Sequence, residues 1–322
     1  MKPMRTFFSR WQNWPGAILV LLFIAVAVLA PELSPEDPAF PGPFKKLGQT
    51  RDIGLIPPGD TAVLGTMPSG YDVYHSLIWG ARNAIKFGLT VTVFSGLFGL
   101  LYGAVAAYVG SVVNRVMMRI ADAFLCFPVI AGVVFLQQLQ AIAVEAGGGM
   151  YIFGQTAGNP AVGVPLSEAP IQVLLNSINP VMLSLILFSW MPYARVVNTI
   201  ILGLKGTDFV LAARAVGASS WRIVWRHLIP NSLAPALVLA ARDMGSVVIF
   251  QATLTFIRIG GDSPWGEMLA IGRNWVIGPG GRLFEYWWLY IPATLAVILF
   301  GVSWNMVGDG ITDVLDPYHI RK

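Results

Sequence analysis

Stretches of about 20 residues with almost no charge recur along the chain, the length a helix needs to cross the hydrocarbon core of a bilayer. They fall at residues 15–30, 87–109, 117–139, a run opening within 173–178 and reaching 197, 233–257 and 287–307. In lipid a spanning helix satisfies its backbone polar groups internally, so the runs predict an all-α polytopic membrane protein with six transmembrane helices. Composition agrees: of 322 residues 55% are hydrophobic and 12% charged, about half the charged fraction of a soluble domain. The net charge of +4 is too small to suggest nucleic acid as a partner and bears on orientation in the bilayer instead. Cys126 is the single cysteine, so neither an internal disulfide nor a cysteine metal cluster is expected. No GxxxxGK[ST] run occurs, and no nucleotide or other cofactor is expected on this chain.

Taken in order, residues 1–14 carry Lys2, Arg5 and Arg10 without an acid, followed by the first apolar run. A secretory signal also begins this way, but Pro31 follows directly and Val28 is not the small residue a cleavage site requires. The run is read as a first span over 15–31, with Trp11 and Trp14 as interfacial anchors. Residues 32–82, rich in Pro and Gly, read as an outer loop. In the second run Ser95, Gly99, Gly103 and Ala107 recur every four residues and share one face, where small side chains admit another helix closely. Pro128 bends the third run, and Asp122 near it either faces water or pairs with Arg119. Residues 140–178 hold Gly147, Gly148, Gly149 and several prolines, and read as an outer insertion: surface elaboration, a lid, or a contact for a delivery protein. The fifth run contains Arg242, Asp243 and Gln251. Charge at membrane depth is costly and faces a partner or a watery cavity, so either a structural ion pair near the inner mouth or pathway lining by Asp243, Gln251 and Arg242 accounts for them.

Between the fourth and fifth runs lies the longest polar segment, residues 204–231. It reads as two short helices, 207–216 and 219–229, divided at Gly217, which accepts positive φ without a Cβ penalty. Thr207 or Asp208 caps the first and Ser219 the second, and Pro230 ends the second because its ring cannot follow a helical turn. Helix, glycine, helix also describes a DNA-binding unit, but no flanking soluble helices are present to build one. A basic loop serving only topology is the plainer alternative.

The run Ala212-Ala213, Gly217 and then Ile229-Pro230-Asn231 resembles the EAA loop of ABC-type importer permeases. The wording AARAVGAS and RHLIPN is most similar to the dipeptide and oligopeptide branch, C-type subunit. Further similarity lies in Leu64-Gly65-Thr66, Trp79-Gly80-Ala81-Arg82, Pro192-Tyr193-Ala194-Arg195, Ser263-Pro264-Trp265-Gly266 and the ending from Asn305 to Asp309. Leu211 stands where the family carries Glu, Met67 where it carries Asp, Tyr71 where it carries Arg, and Gln251 where it tends to carry Glu. The resemblance implies that the 204–231 loop is cytoplasmic and docks a coupling helix on an ATPase subunit. Phe209, Ala212, Ala213, Gly217, Trp221 and Arg222 are then the candidate contacts.

The resemblance further implies a second homologous permease chain, two ATPase subunits carrying ATP and Mg, and an extracytoplasmic substrate-binding protein. Five helices within 83–310 would form the permease domain and 311–322 a cytoplasmic tail. With both termini inside, Lys2, Arg5, Arg10, Arg115, Arg119 and Lys205 all fall on the inner side, as the positive-inside rule favours. The expected function is a transport subunit, without covalent chemistry, that forms half a pathway for peptides or similar small solutes in the inner membrane. The alternative is a secondary transporter or channel subunit driven by an ion gradient.

Overall fold

A computed structural model of the chain describes residues 10–38, 41–47, 55–145, 179–277 and 284–315. Helix α1 (Trp14–Leu33) is followed by a two-stranded antiparallel hairpin, β1 (Thr66–Met67) and β2 (Tyr71–Asp72), in which Thr66 pairs with Asp72 and Met67 with Tyr71. Then come α2 (Val73–Val109), α3 (Ser111–Cys126) and α4 (Val129–Glu145). After the outer segment follow α5 (Pro180–Phe188), α6 (Met191–Leu204), α7 (Asp208–Ala215) and α8 (Ser220–Ile223). The chain finishes with α9 (Ile229–Phe256), α10 (Pro264–Ile277) and α11 (Ile291–Leu315).

Five helical stretches among the described residues are long and apolar enough to cross a membrane. The count becomes six when the bent pair α3–α4 is one span. Their outer faces are apolar, with Ile18, Leu21 and Val28 of α1 and Leu97 and Phe98 of α2 exposed. Lipid is the solvent for such a face, so the helices associate through close packing and polar contacts.

Several expected boundaries move, each for a local reason. The first span runs on through Pro31 to Leu33. Proline leaves the carbonyl four residues back without its N–H, and here that carbonyl, Ala27, accepts instead from the Arg82 guanidinium at 3.4 Å. The expected outer loop 32–82 stops short, because α2 begins at Val73, where the Asp72 carboxylate accepts from the Tyr74 N–H at 3.0 Å. At about 1.5 Å per residue, the 37 residues of α2 extend well beyond the ~30 Å hydrocarbon core.

The third run does more than bend: α3 and α4 meet at 82°. The fourth divides as well, between Phe188 and Met191. Pro128 and Pro192 explain both breaks, since each ring opposes the carbonyl of the residue four back. The two breaks lie side by side, with Phe127 stacked on Phe188 at 5.0 Å and Phe124 against both Phe188 and Trp190.

The predicted 140–178 insertion begins as helix, which continues to Glu145, and lies outside the described residues from 146 on. Between the expected spans 233–257 and 287–307 lies α10, whose Trp265 is buried and donates from its indole N–H to the Leu77 carbonyl at 3.0 Å. The expected tail 311–322 is helical as far as Leu315, and Asp313 pairs with Arg10 at 2.9 Å. One buried cluster, with Met67, Trp265, Trp288 and Phe300, sits at the hairpin end. Another, with Leu100, Val197, Ile201, Val210, Ile223 and Leu228, fixes the 204–231 segment at the other.

Candidate functional site: the 204–231 segment and the charges beneath it

Helix α7 begins at Thr207 in extended conformation, although the Thr207 hydroxyl donates back to the Leu204 carbonyl at 2.6 Å and does not cap. The chain reverses at Gly217, whose φ is +81°, so glycine is required by the backbone rather than by space. Nothing lies within 4 Å of where its Cβ would stand. Ser219 caps the next turn, its hydroxyl accepting from the Arg222 N–H at 3.4 Å.

The second helix does not end at Pro230. Residues Val224–Leu228 form a π-helical turn that runs into α9, with Pro230 in its first turn. The wider turn spaces the backbone around the proline ring, and a proline in the first turn of a helix forfeits no intrahelical bond.

The segment has two faces. Val210, Ile223 and Leu228 are fully buried against α2 and α6. Phe209, Ala212, Trp221 and Arg222 face outward, Trp221 being 70% exposed. Ala213 packs half-buried on the inner cluster. Five of the six candidate contacts thus lie on the open surface, Gly217 included, and Ala213 beneath it. Sequence reasoning missed Leu211, Val216 and Trp225, which share that surface at 48%, 85% and 45% exposure. Their signal was the alternation with Val210, Ile223 and Leu228.

The stripe Ser95, Gly99, Gly103 and Ala107 is buried along its length, facing α5 and α6. A Cβ on Gly103 would stand 2.4 Å from the Ala194 carbonyl oxygen, and one on Gly99 2.4 Å from that of Trp190. Helix backbones approach here as closely as the missing side chains allow.

The charged residues in the spans do not form one cluster. Arg242 donates to the Asp309 carboxylate of α11 at 2.6 Å, so the ion pair is not with Asp243. Asp243 lies beside the buried Tyr193 hydroxyl of α6, which closes no hydrogen bond of ordinary geometry. Gln251 is buried two helical turns further along, donating to Asn83 at 3.2 Å and Asp262 at 2.8 Å. It therefore knots α9 to α2 and the α9–α10 turn, while its side-chain oxygen Oε1 is buried without a partner. Asp122 faces Arg195 of α6, not Arg119, accepting from its Nε at 3.0 Å. Nothing local in the sequence tied Asp309 to Arg242 or Asn83 to Gln251, because these partners lie far apart along the chain.

Comparison with known proteins bears on this arrangement. Residues 99–319, which include the whole 204–231 segment, match the family described as binding-protein-dependent transport system inner membrane component. The chain is similar to a putative peptide transport system permease protein of Brucella suis, 31% identical over 306 residues, covering 94% of this chain and 86% of that one. It is 28% identical over 305 residues to a dipeptide transport system permease protein of Alkalihalophilus pseudofirmus, covering 94% and 84%. A glutathione transport system permease protein of Pectobacterium atrosepticum is 28% identical over 323 residues, covering 98% and 91%. A bundle of apolar helices carrying an anchored, outward-facing helical loop agrees with these matches, and the chain belongs to the family of binding-protein-dependent transport system inner membrane components.

Proposed function

We propose that the chain is one permease half of an ATP-driven importer for peptides or similar small solutes. Residues 204–231 would be its docking surface for an ATPase subunit. A single observation carries this reading: the segment is bolted to the bundle through Val210, Ile223 and Leu228 while presenting Phe209, Leu211, Ala212, Val216, Trp221 and Trp225 outward. So much exposed apolar surface on one polar-rimmed segment marks a protein contact. Arg222 belongs at the rim.

In this reading the 204–231 end and both termini are cytoplasmic, ATP and Mg are held by two partner ATPase subunits, and a second homologous permease completes the pathway. An extracytoplasmic binding protein delivers the solute. Closure of the ATPase pair draws the docking segments together, and the attached helices convert that displacement into alternating access. The names of the relatives support peptides as the solute class, and the membrane crossings support a multi-pass inner-membrane protein.

The test is uptake of labelled dipeptides by vesicles holding the assembled transporter, with ATP supplied and ion gradients collapsed by ionophores. Accumulation that survives the ionophores supports the reading. Accumulation that needs an ion gradient and ignores ATP overturns it.

A further inference from the structure

Helix α6, which leads directly into the docking segment, carries Arg195 and Asn198 on the same face as its C-cap residue Lys205. At 100° per residue, Arg195, Asn198 and Lys205 fall within about 80° of one another. Each grips a different part of the elbow between α2 and α3. Lys205 Nζ donates to the last carbonyls of α2, Tyr108 at 2.6 Å and Ala107 at 3.2 Å. This is where a cation also meets the negative end of the helix dipole. Asn198 donates from Nδ2 to Asn114 Oδ1 in the first turn of α3 at 2.6 Å and to the Gly103 carbonyl at 3.4 Å. Arg195 closes the far end on Asp122. The elbow is shaped for this contact: Gly110 has φ of +71°, and a Cβ there would stand 3.1 Å from Lys205 Nζ.

Apart from these bonds, α3 is held by the Tyr102 hydroxyl of α2, which donates to the Met117 carbonyl at 2.8 Å, and by the Phe124 ring against Phe188 and Trp190. Ala121 is its one buried residue, and Val112, Val116, Ile120 and Phe124 are exposed. A cleft of about 530 Å³ lined by Met118, Asp122, Arg195 and Thr199 lies open where α3 and α6 would otherwise pack. Beyond Cys126, α3 ends at the 82° break, beside the matching break between α5 and α6.

We propose that Asn198 and Arg195 are positioning residues that clasp α3 to α6, while Lys205 pins the α2 end of the same elbow, so that α3 moves with α6. Displacement of the docking segment then swings α3 about the Phe127–Pro128 break, with the Phe124, Phe127, Phe188 and Trp190 rings as the pivot. The proposal rests on the docking role of residues 204–231. It converts a push at the membrane surface into a rotation at the depth of the two breaks, leaving α4 and α5 in place.

Cys126, exposed and the single cysteine of the chain, sits at the hinge and reports on it. The complete transporter is purified, and N-ethylmaleimide modification of Cys126 is timed by peptide mass spectrometry. Nucleotide-free samples are compared with samples holding ATP unhydrolysed in EDTA. Wild type is expected to change its rate by about fivefold or more, the lower range of a coupled conformational change. Lys205→Met should bring the ratio close to one, while Lys205→Arg keeps it. Arg195→Asp and Asp122→Arg should each lose the response and together restore it, which decides the matter even where Lys205→Met fails to assemble. A full response in Lys205→Met and in both single charge variants overturns the clasp, as does an unresponsive Cys126 in a wild-type complex that retains its ATPase subunits. Absence of ATPase subunits from the wild-type complex would overturn the docking role and the clasp together.

Discussion

The close backbone approach at Gly103 can be tested by adding one carbon atom. In Gly103→Ala the new methyl group meets the Ala194 carbonyl oxygen at 2.4 Å and two further Ala194 backbone atoms at 3.1 Å. Comfortable contact requires about 3.5 Å or more, so α2 and α6 must part by roughly 1 Å. No side chain can yield, because every atom met is main chain. Gly96, about two turns away on α2, is the control: its Cβ would stand 3.4 Å from the Tyr193 ring, with nothing closer. Both substitutions gain about 0.8–1.0 kcal/mol of intrinsic helix preference, which cancels in the comparison. The difference that remains is the overpacking cost, about 1–3 kcal/mol. Separation of the helices also stretches the Asn198 bond to the Gly103 carbonyl, already 3.4 Å. Thermal unfolding in detergent, followed by tryptophan fluorescence, should show Gly103→Ala melting below wild type and Gly96→Ala at or above it. Equal midpoints for the two variants would refute the close-packed stripe.

Trp265→Ala should be among the most damaging single changes, at about 3–5 kcal/mol for a large buried aromatic, because it empties the hairpin-end core and removes the indole bond to the Leu77 carbonyl; the same melting experiment checks it. Gly217→Val should cost about 1–2 kcal/mol from the backbone alone, since its φ is +81° and no neighbour obstructs the side chain. Its effect should show as weakened ATPase-subunit retention together with a modest fall in melting temperature. Arg242→Gln should shift stability by less than about 1 kcal/mol, because both side chains of the Arg242–Asp309 pair are largely exposed, at 47% and 69%. A large loss of melting temperature would show that the pair is buried in the assembly.

The helical class, the small-residue stripe and the helix–glycine–helix form of residues 204–231 were legible in the sequence because each rests on local pattern: apolar run length, a four-residue repeat, caps and a glycine turn. Boundaries were less legible where distant atoms decide them. Pro31 stays inside α1 because Arg82, fifty-one positions later, supplies the donor its neighbour lacks. Helix α10 was hidden because Pro264 to Ile277 is mixed in polarity, and only packing against Gly80 and Phe300 explains the buried Trp265. The charges were the hardest. Arg242 and Asp122 found partners remote in sequence, where proximity had offered Arg119 for Asp122, and Gln251 reaches Asn83 as well as the nearer Asp262. The Lys205 contact had no sequence signature, since its acceptors are backbone carbonyls.

The most direct test of the account is to purify the chain from its native membranes in mild detergent and identify what accompanies it. Wild type is compared with Ala212→Arg plus Trp221→Glu, both outward-facing and free of the core. The account predicts that ATPase subunits accompany the wild type and are depleted from the variant, while the second permease chain stays with both. A folded wild-type chain that carries no ATPase subunit, or a variant that retains it in full, would contradict the assignment of residues 204–231 as the docking surface.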